Sequence, residues 1–241
     1  MSKVPSSPIN IIQFIRQNSI HARRDVLDFI LEGRVCINKQ TITDSSTMVN
    51  DTDSVSLDGK PIQYQPFYYY KFNKPVGTIS TFDDPGGRKT LRSHLDKFQL
   101  PKSLKPCGRL DRDSSGLLLF SNDGEFINHV LHPSFDVPKS YFVTLSAPLS
   151  NAHQKQLTSG LFLDDGPVSM TFIDNVSPTQ CIIQISIGRN RIVRRAFKHF
   201  GYTVIGLHRL SIGDIQLNHL REGEFDIISD SLVQALLNPE N

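Results

Sequence analysis

Nine residues, Gly108-Arg109-Leu110-Asp111-Arg112-Asp113-Ser114-Ser115-Gly116, lead without a break into the apolar Leu117-Leu118-Leu119-Phe120. No other stretch limits this chain as strongly. A Ser- and Gly-rich turn that ends in a strand-like run places whatever it carries at the mouth of that strand. What it carries is a carboxylate, Asp111, set between two arginines. Arginine neighbours favour the charged form of a carboxylate, and a charged, oriented carboxylate is what covalent catalysis requires. Taken alone, the same residues also read as a salt bridge in a surface turn, worth little energetically.

The rest of the chain decides between these readings. Gly-Arg-Leu-Asp followed by Ser114, Gly116 and an aliphatic run resembles the signature of the pseudouridine synthases, most closely their RsuA/RluB-type branch. Tyr70-Lys71-Phe72-Asn73-Lys74-Pro75-Val76-Gly77 resembles that family's opening strand and Asn-Lys-Pro-x-Gly turn, and Lys139-Ser140-Tyr141-Phe142-Val143 its Lys-x-Tyr strand. Gly188-Arg189-Asn190-Arg191-Ile192-Val193-Arg194-Arg195 resembles its Gly-Arg-Asn-Arg-x-Val-Arg-Arg segment. The four motifs stand in the family's order and span most of residues 66–230. Leu131-His132-Pro133-Ser134 and Asp165-Gly166-Pro167 lean toward the RluB-like subgroup.

The resemblance implies a reaction and a division of labour. Making pseudouridine breaks the bond between ribose and a uracil nitrogen, turns the base and reattaches it through a ring carbon. The target base must first leave its stack and enter a pocket. Asp111 is implied as the catalytic carboxylate, with attack on the sugar and assistance to base elimination both open. Arg194 is implied to pair with it, since a planar guanidinium grips a carboxylate through two bonds. Tyr141 is implied to stack on the base and lie near the moving proton, with Val193 behind its ring. Lys74, Arg109, Lys139, Arg189, Arg191 and Arg195 are cast as RNA-backbone or structural residues, and Asp113 and Asp123 as bystanders in turns.

Residues 9–61 form a first unit. Ile11, Ile12, Phe14 and Ile15 give one short helical face; Val26, Leu27, Phe29, Ile30 and Leu31 give a second that stops at Gly33; Val35–Asn38 and Val55–Leu57 read as strands. Helix, helix, then Glu32-Gly33-Arg34-Val35 resembles the small RNA-binding fold named after ribosomal small-subunit protein four, which implies RNA contacts from Arg23, Arg24 and Arg34 that position without reading sequence. Ala22 stands where a capping Ser is usual, so a looser entry turn and weaker RNA binding are expected. Residues 1–8, with Pro5, Ser6, Ser7 and Pro8, offer little to bury and are expected to be disordered.

After a linker near 61–67, strands and helices alternate. Phe67–Phe72, Val76–Thr81, Tyr141–Leu145 and Cys181–Ile187 read as strands. Thr90–Asp96, Glu125–Leu131, Ala152–Ser159 and Ile192–Phe200 read as helices. The expected fold is α+β: the small unit, then a catalytic domain over 67–236 with a mainly antiparallel sheet and a central cleft.

The 241 residues carry a net charge of only +2, so bulk charge selects no partner. Distribution does: from Arg189 to Arg209 there are six Arg or Lys and no acid, the footprint of a phosphate-backbone contact. Cys36, Cys107 and Cys181 are odd in number and widely spaced, which points to free thiols and the cytoplasm. No apolar run is long enough to span a bilayer. His129 and His132 lack metal-site spacing, and no Gly-rich phosphate loop is present, in keeping with an isomerisation that needs no cofactor. The leading reading is a monomeric enzyme acting on one uridine of ribosomal RNA, free or in an assembling subunit, with a large-subunit target favoured. The alternatives are a small-subunit target, or a non-catalytic RNA-binding assembly factor that kept the fold.

Overall fold

The structure, a computed structural model, describes residues 8–238. The stretch expected to be disordered, apart from Pro8, therefore lies outside the described residues. Helices α1 (Ile11–Asn18) and α2 (Arg23–Leu31) pack over four short strands, β1 (Val35–Ile37), β2 (Gln40–Ile42), β3 (Val55–Leu57) and β4 (Lys60–Pro61), ordered β2-β1-β3-β4. Ile11, Phe14, Ile15, Val26, Ile30, Val35, Val49 and Val55 close a separate core between them. The sequence supplies a cap for α1, because Asn10 Oδ1 accepts the Ile12 amide at 2.9 Å. Ala22 has no oxygen to cap α2. Only the reverse half of a capping box survives, the Ala22 amide donating to Asp25 at 3.1 Å. Gly33 ends the segment with φ +68°.

The larger unit is built on one sheet. Its strands are β5 (Tyr69–Lys74), β6 (Ser115–Ser121), β7 (Lys139–Leu145), β8 (Leu161–Leu163), β9 (Gly166–Val168), β10 (Thr171–Ser177), β11 (Gln180–Ile185), β12 (Val204–Ile212) and β13 (Phe225–Ile227). The main order is β10-β11-β7-β12-β6-β5-β13; β8 and β9 form a separate hairpin. Every pairing along this order is antiparallel except β12 with β6. The helices are α3 (Leu91–Lys97), α4 (Gly124–Leu131), α5 (Asn151–Ser159), α6 (Ile192–His199) and α7 (Asp230–Leu237).

The apolar run after Gly116 is continuous because both faces of β6 are covered. Leu118 and Phe120 enter a core with Phe72, Leu91, Leu95 and Val143, while Leu117 and Leu119 enter another with Phe126, Val130, Ile212 and Val233. All seven residues of β6 are buried. One expected strand is absent: Val76–Thr81 is a turn with a single bridge from Ile79 to Thr90. Pro75 has no N–H to give a ladder, and Gly77 sits at φ +89°, outside strand geometry.

The small unit seats on the large one through the end of α1. Lys105 Nζ donates to the Arg16 carbonyl at 2.5 Å, Asn122 Nδ2 to the Gln17 carbonyl at 3.4 Å, and the Gln65 amide to Asn18 Oδ1 at 2.7 Å. Burial, with Arg16 nearby, pushes the Lys105 ammonium down to about 8 from 10.5. Lys74 and Lys139 are pushed down to about 8 as well, chiefly by burial. Near neutrality the folded state bears the desolvation cost of three charged lysines. Between about pH 8 and 10.5 the folded protein sheds protons that the unfolded chain retains, so these groups add stability as pH rises. In Lys105→Met, the gain in unfolding free energy between about pH 7.5 and pH 9.5, measured by urea titration, is expected to be smaller than in the wild type by about 2 kcal/mol.

Candidate active site

The loop that carries Asp111 is laced to the turn after β5. Lys74, fully buried, donates from Nζ to the carbonyls of Ser114 at 2.7 Å and Pro75 at 3.0 Å. The Gly77 amide donates to the Arg112 carbonyl at 2.7 Å, and Ser80 Oγ to the Leu110 carbonyl at 2.6 Å. This is the physical use of Asn-Lys-Pro-x-Gly here: a buried cation and a free amide hold the loop by its carbonyls. Lys74 is thereby unable to reach a phosphate from this position, which corrects the RNA-binding role expected of it.

Beside the loop opens a cavity of about 270 Å³, lined by Gly108–Asp111, Leu131, Lys139, Tyr141, Gly188–Val193, Leu207 and Arg209 among others. Tyr141 and Arg209 are register partners across β7 and β12, so their side chains share a face. Tyr141 is nearly buried and Arg209 is 4% exposed. Arg209 Nε donates to the Leu117 carbonyl at 2.6 Å, and Nη1 lies 3.4 Å from the Tyr141 hydroxyl. Val193 and Leu207, both buried, complete the apolar part of the wall. Lys139 also lines the cavity but is spent on the carbonyls of Val137 at 2.8 Å and Ser186 at 3.5 Å. It is a wall residue and not the exposed phosphate contact expected.

The arginine that meets Asp111 is not the expected one. Arg191 Nη1 lies 3.3 Å from Asp111 Oδ2, and the same guanidinium donates to both oxygens of Asp113, at 3.1 and 2.8 Å. Arg194 is turned to the loop backbone: it donates to the Asp113 carbonyl at 2.8 Å, Ser114 Oγ at 3.1 Å and the Val204 carbonyl at 2.6 Å. Its own ion pair, at 3.4 Å, is with Asp113. The reason is local. Arg191 precedes α6 in the left-handed region, φ +46°, which directs its side chain to the loop, whereas Arg194 lies one turn into the helix. Asp113 is correspondingly no bystander. Hydrogen bonds from Arg191 hold its carboxyl below the usual carboxylate range.

Other expected RNA contacts are also engaged. Arg189 donates to the Asp165 and Pro167 carbonyls and to Asp165 Oδ1, and Arg195 donates to both oxygens of Asp165. Arg34 is bound to Asp58 at 2.8 Å and Glu32 at 3.1 Å and lies over the Phe29 ring. Arg109 is exposed at the cavity rim, and Arg23 and Arg24 are exposed on α2; none of these three holds an ion pair among the described residues. Asp123 caps α4, accepting the Glu125 amide at 2.9 Å, and takes the Tyr69 hydroxyl at 2.7 Å. His129 stacks on Phe135 and His132 bonds Ser134. From sequence Arg209 reads only as the end of the basic stretch and Asp165 only within a subgroup segment, neither as a residue of the site. For Arg209 a signal existed, an arginine two positions after Leu207 on the buried face of a strand-length apolar pattern.

Residues 68–199, more than half of the chain, match the family described as RNA pseudouridylate synthase. The chain belongs to that family, in its RsuA/RluB-type branch, and is an enzyme that isomerises uridine in RNA to pseudouridine. Among its relatives is the ribosomal large subunit pseudouridine synthase B of Bacillus subtilis, 32% identical over 217 residues, covering 87% of this chain and 88% of that protein. The dual-specificity RNA pseudouridine synthase RluF of Escherichia coli is 30% identical over 242 residues, covering 99% of this chain and 82% of that protein. A crystal structure titled pseudouridylate synthase superposes with a TM-score of 0.68 at 27% identity, covering 95% of this chain and 99% of that one.

Gly116 holds φ +101°, and a Cβ there would overlap the backbone nitrogen and carbonyl oxygen of Arg209. Gly116→Ala is expected to lower the unfolding free energy by about 3 kcal/mol or more, read by denaturant titration, because neither backbone can yield without breaking the β6–β12 pairing.

Proposed function

We propose that this chain converts one uridine of large-subunit ribosomal RNA to pseudouridine, with Asp111 as the catalytic carboxylate. The observation that carries the reading is Asp111 at the rim of a cavity walled by Tyr141 and Val193, its charge matched by Arg191 at 3.3 Å. The flipped uridine enters with its base against the Tyr141 ring and its C1′ toward the Asp111 carboxylate. The C1′–N1 bond breaks, the C1′–C5 bond forms, N1 gains a proton and C5 loses one, so atoms balance with no cofactor. Arg191 and Arg194 hold the loop that carries Asp111, and Tyr141 stands beside the C5 proton. The large-subunit assignment is supported by the similarity to the Bacillus subtilis large subunit pseudouridine synthase B and by the Leu131–Ser134 and Asp165–Pro167 segments.

Residues 9–61 act in this reading as an RNA-docking domain. Arg23 and Arg24 meet phosphate from the exposed start of α2, while Arg109 meets RNA at the rim of the catalytic domain, residues 67–236. The enzyme works as a monomer in the cytoplasm. Three cysteines without a disulfide fit a reducing compartment, and among the described residues no helix is long and apolar enough to cross a membrane.

Loss of the C5 proton gives a direct assay, tritium release from RNA labelled at uridine C5. Wild type is expected to release tritium from large-subunit RNA at one site, and Asp111→Asn to be slower by about 10³-fold or more. In cells lacking the chain, one pseudouridine should vanish and return with wild type only. Return with Asp111→Asn would remove Asp111 from the chemistry, and a vanished site in small-subunit RNA would move the substrate.

A further inference from the structure

The hairpin of β8 and β9 lies outside the sheet and outside the cavity lining except at its turn-side partner Arg189, yet it holds the segment that carries Arg191. Asp165, in the turn, accepts from Arg189 on the loop side and from both guanidinium nitrogens of Arg195 on α6. The carbonyls of Asp165 and Pro167 also take Arg189. Gly166, at φ +114°, leaves the room: a Cβ there would stand 3.2 Å from Arg189 Nη1. Residues 189 and 195 are thus fixed from outside, and Arg191 between them reaches inward to Asp111 and Asp113.

That outer anchor matters because the inner grip is weak. Arg191, Asp111 and Asp113 keep side-chain exposures of 42%, 31% and 50%, and half-exposed ion pairs are worth about 0–1 kcal/mol. Arg191 is also in the left-handed region and has no side-chain cap to hold it there. Arg189, Arg191, Arg194 and Arg195 are crowded into seven residues, and Asp165 is the carboxylate that neutralises the outer pair. Arg194 adds inner bonds to the Asp113 and Val204 carbonyls and Ser114 Oγ, and the hairpin adds five more from the outer side through Arg189 and Arg195, which at 22% and 33% are less exposed than Arg191.

We propose that Asp165 is a positioning residue for catalysis: through Arg189 and Arg195 it sets Arg191, and through Arg191 it sets the Asp111 carboxylate. The inference rests on Asp111 being the catalytic group. Asp165 touches neither RNA nor the reacting atoms; its effect is on turnover and not on substrate affinity.

The test is tritium release from C5-labelled large-subunit RNA by Asp165→Ala, Asp165→Asn, Arg191→Ala and the Asp165→Ala/Arg191→Ala double variant. Misplacing a catalytic group by about an ångström costs on the order of 10- to 100-fold. Asp165→Ala should therefore lose kcat by about that factor with KM no higher, and Asp165→Asn, which keeps an acceptor in place, should recover part of it. In the Arg191→Ala background Asp165→Ala should add little, because the route is already cut. A change confined to KM, or losses that multiply in the double variant, overturns the proposal and makes Asp165 a competitor for RNA phosphate or a local fold contact. Hydrogen exchange of residues 188–195 in Asp165→Ala and Asp165→Asn, without RNA, gives a second reading. Faster exchange there than in the wild type is expected, and unchanged protection overturns the proposal. Should the wild type release no tritium from large-subunit RNA, the substrate reading fails and the exchange result alone decides Asp165.

Discussion

Two backbones meet at Gly116 and Arg209, and the catalytic half of the molecule is organised around that meeting. One side of the sheet is β13, β5 and β6; the other is β12, β7, β11 and β10. They are joined by a parallel pairing of only two register positions, His208 with Ser115 and Arg209 with Gly116. Beyond it the free edge of β6 is taken by Lys105 and Pro106 instead, opposite Ser121 and Phe120. The strands therefore part on either side of one point of contact, and a sheet that parts must leave a cleft. The loop ending at Gly116 carries Asp111 into that cleft, while the strand reaching Arg209 brings Leu207 and, across its other edge, Tyr141. Glycine is required at the junction by steric overlap, not by loop flexibility.

Around the cleft, charge is handled in two ways. Buried cations donate to carbonyl oxygens: Lys74 to Ser114 and Pro75, Lys139 to Val137 and Ser186, and Arg209 through Nε to Leu117, with its Nη2 left unpartnered. Each cation fixes a piece of backbone beneath the cavity, and the charge of Lys74 is partly offset by Asp111 and Asp113 and that of Lys139 by Asp136. Arg189, Arg191 and Arg195 are instead matched to aspartates at the rim, while Arg109 holds no ion pair among the described residues. A basic floor of this kind suits a polyanionic substrate.

Much of this was legible from sequence where a local pattern carried the information. The apolar run of β6, the period of α6 and the stop at Gly33 each follow from short-range chemistry, and the ordered motifs marked the loop that lines the cavity. What failed to show depended on distant partners. Val76–Thr81 has the composition of a strand but none of its ladder, since Pro75 and Gly77 set the backbone otherwise. The choice of Arg191 over Arg194 turned on one left-handed residue ahead of α6. Arg189 and Arg195 looked free for RNA because Asp165 and Pro167, which engage them, lie more than twenty residues away, and Lys74 and Lys139 because Ser114 and Ser186 close their sites from further still, beside the local carbonyls of Pro75 and Val137. Strands β10, β12 and β13 and helix α7 went unread, although β12 has a strand-length apolar pattern and α7 a Ser229 cap ahead of Leu232, Val233 and Leu236.

The seat of the small unit has a property of its own. Lys105 and Asn122 bind α1 by the carbonyl oxygens of Arg16 and Gln17, groups that every amino acid supplies at a helix end. Only Asn18 contributes a side chain. The joint recognises where the helix stops and is indifferent to what most of the helix displays. Six of the eight α1 residues are buried, so α1 works as the seat, and the outward face left to vary for a different RNA is that of α2, where Arg23, Arg24, Asp25 and Asp28 are exposed.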